Sequence, residues 1–310
     1  MGNSHPVAVI GSVNMDIGGH PFGRYLPGDS NPGRIRLSLG GVGANIARNA
    51  RALGLEVEFV TAIGGDSFAD LVERELLREG LRLDAALRAP EESTSTYLYV
   101  TDERGDMVSA VSDMRITLRQ TPDFFRDRLN FLNATRAVML DANLSQDSLC
   151  FLAENLRVPI FADAVSVAKA VRLRPVLRYL HTLRPNRLEA EALTGILISN
   201  PDAALRAART LVEAGLNRVL ITLGEGGVCY ADSGTAFCVP ALPTCLKNAT
   251  GAGDAFSAAV LWAWTEDLSS RDTCLYALAA ASIAAEDEET VSANLSLRAI
   301  KQRLESEGFA

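Results

Sequence analysis

Short apolar runs alternate along this chain with longer stretches whose apolar positions recur at helical spacing. Val7–Ile10, Val57–Ile63, Ala137–Asp141, Ile160–Asp163 and Val219–Leu223 have the length and β-branched content of strands covered on both faces. Ala44–Leu53 sets Ile46, Ala50 and Leu53 on one helical face, with Gly54 where a helix-ending glycine belongs. Ser67–Glu79 carries a stripe of Phe68, Leu71, Val72, Leu76 and Leu77, and Ala203–Ala214 ends in the same way at Gly215. This alternation predicts a parallel sheet wrapped by helices. No repeat, low-complexity segment or Pro/Gly-rich linker divides the chain, so residues 1–310 are expected to form one domain.

Two stretches break the pattern. Residues 94–100 and 107–111 flank Asp102-Glu103-Arg104-Gly105-Asp106, whose turn chemistry predicts a hairpin. Residues 15–39 lack helical periodicity and carry turn signals at Pro27-Gly28 and Asn31-Pro32-Gly33. Segments of about 15–39 and 94–112 are therefore expected to build a small accessory sheet, either a lid that excludes water from a substrate or a surface decoration.

Composition narrows the function. Apolar residues make up 48% and charged residues 22%, as in an ordinary globular chain, and the net charge is −8. Such a field repels phosphate backbones, so nucleic acid is not an expected partner, and any phosphate site must be built locally. The five cysteines, at 150, 229, 238, 245 and 274, include no CxxC pair, and they read as small core residues of a reduced compartment. The first residues lack a basic signal-peptide region, and Ala255–Thr265 is too short to span a bilayer. A cytoplasmic protein without a membrane partner is expected.

Four clusters carry candidate chemistry. In Asn248-Ala249-Thr250-Gly251-Ala252-Gly253-Asp254, the glycines allow successive N–H groups to aim at one point, and the apolar helix that follows adds its positive end. Asp254 at that mouth suits a general base for phosphoryl transfer; the structural alternative is a capped turn. Gly40-Gly41-Val42-Gly43-Ala44-Asn45 opens another helix, where glycines admit a polyol close to the main chain and Asn45 offers donors and acceptors. Asn14 and Asp16 follow the first strand, where α/β proteins place ligand contacts. Pro185-Asn186-Arg187-Leu188-Glu189 sets an amide and a carboxylate on one side of a helix start, suitable for hydrated Mg²⁺ or equally for a helix cap. Thr222-Leu223-Gly224-Glu225-Gly226-Gly227 ends a strand and admits either a nucleotide lying on the backbone or a hairpin turn.

Other signals fail. Ser166-Val167-Ala168-Lys169 has SxxK spacing but no KTG follows. G-x-S-x-G, GxxxxGK[ST] and a strand-to-helix GxGxxG are absent, and His5, His20 and His181 share no ligand spacing. Glu286-Asp287-Glu288-Glu289 reads as a solvated acidic turn.

Together, and in this order along nearly the whole chain, the clusters at 14–16, 40–45, 186–189, 222–227 and 250–254 resemble those of the PfkB (ribokinase-like) carbohydrate kinases. The resemblance implies a three-layer α/β sandwich with a mostly parallel central sheet and a small β-sheet lid that often forms a homodimer contact. It implies ATP and Mg²⁺ as cofactors and a nucleoside or sugar as substrate. Asp254 matches the family's base, and Gly251, Ala252 and Gly253 match its anion hole. Asn14, Asp16, Gly41, Gly43 and Asn45 match sugar contacts, Asn186, Thr222, Gly224, Gly227 and Gly253 match ATP contacts, and Glu189 matches a Mg²⁺ position reached through water. Asn31, Thr96, Asn143 and Lys169 are further substrate candidates, and the likeness of 29–33, 40–43 and 183–191 points to pseudouridine as the acceptor. Ribose, fructose or adenosine, or a non-catalytic sensor on this fold, remain the alternatives. Asn248 stands where the family usually has an Asp that helps to hold a monovalent cation, which puts a K⁺ requirement in question, and Arg184 replaces a usual Asn.

Overall fold

The protein is described by a computed structural model covering residues 5–309. In chain order the strands are β1 (Val7–Ile10), β2 (Asn14–Pro21), β3 (Gly33–Gly40), β4 (Val57–Val60), β5 (Ala62–Ile63), β6 (Leu87–Arg88), β7 (Thr96–Thr101), β8 (Met107–Asp113), β9 (Val138–Asp141), β10 (Ile160–Asp163), β11 (Thr182–Arg184), β12 (Arg218–Thr222), β13 (Val228–Asp232) and β14 (Ala236–Val239). The helices are α1 (Val42–Ala52), α2 (Ser67–Arg78), α3 (Pro122–Arg126), α4 (Leu129–Leu132), α5 (Gln146–Asn155), α6 (Val167–Ala170), α7 (Arg187–Thr194), α8 (Pro201–Glu213), α9 (Ala252–Thr265), α10 (Ser270–Ala285) and α11 (Leu297–Ser306).

The central sheet has eight strands in the order β14-β13-β12-β11-β10-β9-β1-β4. Pairing is parallel from β4 to β12 and antiparallel only through β13 and β14. Alternate side chains feed two separate cores, so the runs read as uniformly apolar. Val7, Val9, Phe59 and Phe161 join the core under α1, α9 and α10, while Ala8, Ile10, Val60 and Ala162 join the core under α5 and α8. The expected three-layer α/β sandwich is the observed architecture.

The helices begin where short polar side chains satisfy free amides: Asp66 accepts from Ala69 N, Ser145 from Ser148 N, and Asn200 from Ala203 N just before Pro201. α9 is buried nearly all round, which accounts for its lack of an apolar stripe. Among the described residues, no helix is long and apolar enough to cross a membrane.

The two irregular stretches form a second, four-stranded sheet in the order β3-β2-β7-β8. Asp16 lies beside Tyr97, and Gly18 beside Tyr99, so these residues share one face; Ile17, Leu37, Leu98 and Val111 share the other. Two expectations are corrected. The run Val57–Ile63 breaks at Thr61, and its last two residues pair with β6 instead of the central sheet. Cys229 and Cys238 are joined as a disulfide, because the β13–β14 register sets them directly opposite, while Cys150, Cys245 and Cys274 are free. The turn at 286–289 is tied down: Glu286 pairs with Arg303 at 2.5 Å, Asp287 accepts from Ser292 at 2.7 Å, and Glu289 pairs with Arg36 of β3.

Candidate active site

The site lies along the C-terminal edge of the parallel strands, where β9, β10 and β11 end side by side in Asp141, Asp163 and Arg184. α9 starts over this edge. Gly251 adopts φ 89° as its N-cap, a left-handed conformation that suits glycine, and a Cβ there would strike the Thr290 carbonyl. The amides at the start of α9 precede its first hydrogen bond, Ala255 N to Gly251 O at 2.9 Å, so the helix turns free donors and its positive end outwards.

Asp254 sits in this first turn and is only 8% exposed. Its Oδ2 accepts a 2.8 Å hydrogen bond from Asn45 Nδ2, and among the described residues none reaches Oδ1. Burial, and then the Asp163 carboxylate, push its pKa up from an ordinary 3.8 to about 7, against the pull of the Arg184 guanidinium. Without a ligand the group is thus poised near neutrality, the range that suits a general base.

On one side of Asp254 a cleft of about 720 Å³ is lined by Asn186, Thr222, Gly224, Gly227 and Gly253, all five candidate nucleotide residues, together with Leu242, Leu246 and Phe256. Apolar walls with a few polar groups are what a purine and its ribose need. The 222–227 segment joins β12 to β13 as a hairpin, and its Thr222, Gly224 and Gly227 also line the cleft.

Glu189 sits behind Asn186 and does not itself line the cleft. It is 1% exposed, and both its oxygens accept from Asn186, through the backbone N at 2.7 Å and Nδ2 at 2.8 Å, closing a capping box at the start of α7. Its carboxylate orients Asn186. Among the described residues there is no cluster of three metal-ligating side chains. Asn186, whose amide is engaged by Glu189, would hold a Mg²⁺ ion only through water, and the ion would supply charge to nucleotide phosphates. Asn248 does not fit a cation ligand: Nδ2 donates to the Glu288 carbonyl at 3.0 Å and Oδ1 accepts from Thr250 N, so the amide fastens two loops by itself.

On the other side of Asp254 lie the polyol candidates. Asn14 and Asp16 are joined by a hydrogen bond, and burial pushes the Asp16 pKa up to about 6. The glycines of 40–43 are filled by the protein itself. A Cβ on Gly41 would meet Ser12 O at 2.6 Å, and one on Gly43 would meet Gly11 at 2.7 Å. Their smallness lets α1 settle on the β1–β2 connection, which places Asn45 beside Asp254. Asn143 receives Lys169 Nζ on Oδ1 and donates to Ser12 Oγ at 2.9 Å. Two candidates do not join. Asn31 spends its side chain on Leu26 and Asp29 in its own turn, and Thr96 pairs with Met15, on the sheet face away from Asp16. Tyr97 and Tyr99, one and three residues on, occupy the Asp16 face, with ring centroids 5.9 Å apart.

Several residues of this site are absent from the motifs. Asp141 accepts from Ser12 N at 2.8 Å, Gly43 N at 2.9 Å and Asn143 N at 3.0 Å, pinning the polyol side. Asp163 and Ser257 form a buried triad beside Gly253 with Arg184, which the sequence showed only as a departure from the family pattern. The signal was present: Asp141 and Asp163 each end an apolar run, where a buried charge calls for explanation. Among the described residues Asn45 Oδ1, on the side chain that holds Asp254, has no hydrogen-bond partner.

Residues 4–296 match the pfkB family carbohydrate kinases. A pseudouridine kinase of Escherichia coli (strain K12) is 35% identical over 94% of this chain and 94% of its own. The structure of Arabidopsis thaliana ribokinase complexed with ribose and ATP superposes with a TM-score of 0.88 at 23% identity, covering 97% of this chain and 99% of that one. An E. coli chain of this fold, in complex with ATP and Mg²⁺, does so with a TM-score of 0.83 at 19% identity over 97% and 99%. The chain therefore belongs to the pfkB family of carbohydrate kinases, phosphotransferases that act on an alcohol group.

Proposed function

We propose that this kinase transfers the γ-phosphoryl group of ATP to the 5′-hydroxyl of pseudouridine, with Asp254 as general base. The observation that carries the chemistry is the position of Asp254, at the mouth of α9 between the nucleotide cleft and the cluster of Asn14, Asp16 and Asn45. Asn45 holds Oδ2 and leaves Oδ1 for the acceptor hydroxyl. As that proton moves to Asp254, the amides of Gly251, Ala252 and Gly253 meet the charge spreading over the phosphoryl oxygens. Asn186, fixed by Glu189 at the cleft wall, would stand beside the phosphates, whose charge a Mg²⁺ ion bound with the nucleotide would neutralise.

The choice of a nucleoside is supported by the 35% identical relative and by the lid face over Asp16, where Tyr97 and Tyr99 offer ring surface to a base. Asn143 and Lys169, whose amide and amine meet at the polyol side, supply the polar groups that read a base edge or ribose hydroxyl. The outer lid face, with Ile35 and Val111 exposed by 70% and 65%, suits a second copy of the chain.

The test is ADP release with ATP and a panel of pseudouridine, uridine, adenosine, ribose and fructose. Pseudouridine is expected to give the highest kcat/KM. A faster rate with another acceptor reassigns the substrate, and ligand binding without turnover identifies a sensor. Asp254→Asn is expected to bind nucleotide normally and lose about 10²–10⁴ in kcat; near-unchanged turnover overturns the role of Asp254.

A further inference from the structure

The parallel sheet ends in a row of acids, and one buried cation interrupts it. Arg184 is 8% exposed and is the one Lys or Arg in the buried class among the described residues, whereas Asp141, Asp163, Glu189 and Asp254 are all buried around it. Its Nη2 pairs with Asp163 Oδ2 at 2.8 Å, and its Nε donates to Ser257 Oγ at 3.1 Å. Ser257 in turn donates to Asp163 Oδ2 at 2.7 Å, so the guanidinium is held from behind in one orientation. The group packs against the bare Cα of Gly253, in the space a side chain there would fill.

An ion pair serving packing alone would be sealed in. This one is not, because Arg184 lines the nucleotide cleft beside Asn186 and Gly253. Two of its nitrogens are spent on Asp163 and Ser257. Among the described residues Nη1 makes no hydrogen bond, yet it is not an orphaned buried atom. A guanidinium fixed on one edge and open on the other is prepared for the oxygens of a phosphate. A nucleotide tail approaching this edge would otherwise face carboxylates and the α9 amides alone.

We propose that Arg184 is a catalytic residue that grips the γ-phosphoryl group through its cleft-facing edge, with Asp163 and Ser257 as its positioning residues. This rests on the phosphotransfer reading above. Because its backing is rigid, the guanidinium stays in place while the phosphoryl group crosses to the acceptor oxygen, and it meets the charge developing on the equatorial oxygens. Packed on Gly253, next to the proposed base Asp254, the guanidinium would meet the group in transfer rather than the rest of the tail, so ADP should not depend on it.

The experiment compares wild type with Arg184→Lys and with the double variant Arg184→Met/Asp163→Asn, which removes both buried charges and leaves neither unpaired. ADP and a β,γ-imido ATP analogue are titrated by calorimetry, and kcat and melting are measured alongside. In the double variant, ADP affinity is expected to stay within about twofold, the analogue to bind about 10-fold more weakly, and kcat to fall about 10²–10³-fold. The lysine variant, which keeps the charge but not the planar fork, should fall between. A variant that melts normally and keeps both its analogue affinity and its kcat overturns the proposal and leaves Arg184 a packing residue. If wild type binds ADP and the analogue but transfers no phosphate to any acceptor, the phosphotransfer reading fails instead; if it binds neither nucleotide, both fall.

Discussion

Asp254 shows what a buried acid demands of its surroundings. The cost of desolvation and of the neighbouring Asp163 outweighs the Asn45 hydrogen bond and the Arg184 charge, so the folded state prefers the proton up to about pH 7. The unfolded chain releases that proton near 3.8, so between these values the folded state holds it more tightly. Stability from this group is therefore complete below pH 4 and is lost as pH rises to 7. A change from 3.8 to about 7 corresponds to an upper bound on the order of 4 kcal/mol. Asp254→Asn should match wild type in melting at pH 4 and exceed it by about 5 °C at pH 8. Melting curves that stay parallel across this range would show that Asp254 is not held protonated. The same titration sets the activity, which should fall in wild type as pH drops below about 7 because the base is then occupied.

At the scale of elements, the decisive contact is α1 on the end of β1. Gly43 approaches Gly11 so closely that a Cβ would stand 2.7 Å from its backbone and 2.9 Å from Ser12 N. Alanine, normally the better helix residue, should here destabilise the protein by about 1–3 kcal/mol and weaken substrate binding, because Asn45 moves with the helix. A Gly43→Ala protein that melts and binds like wild type would refute this packing. The glycine cluster was legible as a place of close approach, but periodicity cannot tell whether a ligand or the chain itself makes that approach. The strands and helices were legible because two cores draw on opposite residues of each strand. Face assignment within the lid was not, since a shift of one residue exchanges Thr96 for Tyr97. The disulfide was half-written: Cys229 and Cys238 are symmetric about the Asp232–Thr235 turn, but the pairing becomes evident only once β13 and β14 are known to be adjacent.

For the molecule as a whole, the order of the sheet does what no local motif does. It sets the ends of β9, β10 and β11 side by side, so that Asp141, Asp163 and Arg184, distant in sequence, become one electrostatic surface under α9. Arg184 was visible as a departure from the family pattern, but its partner on β10 depends on strand order. The second sheet leaves Ile35, Leu37, Leu98 and Val111 exposed on its outer face, a patch that a second lid would cover. Paired replacement of Leu37 and Val111 by Asp should convert a dimer to a monomer in light scattering after gel filtration, with little change in melting. A wild-type monomer at tens of micromolar would end the dimer proposal.

The ion pair between Arg36 and Glu289 ties this outer sheet to the loop whose Thr290 carbonyl braces Gly251. Both partners are about half exposed, at 45% and 53%, so water and salt screen the pair and releasing it costs under about 1 kcal/mol. A fastening this weak adds little to the fold, so Arg36→Ala should leave melting nearly unchanged while freeing the outer sheet from the loop that packs on Gly251.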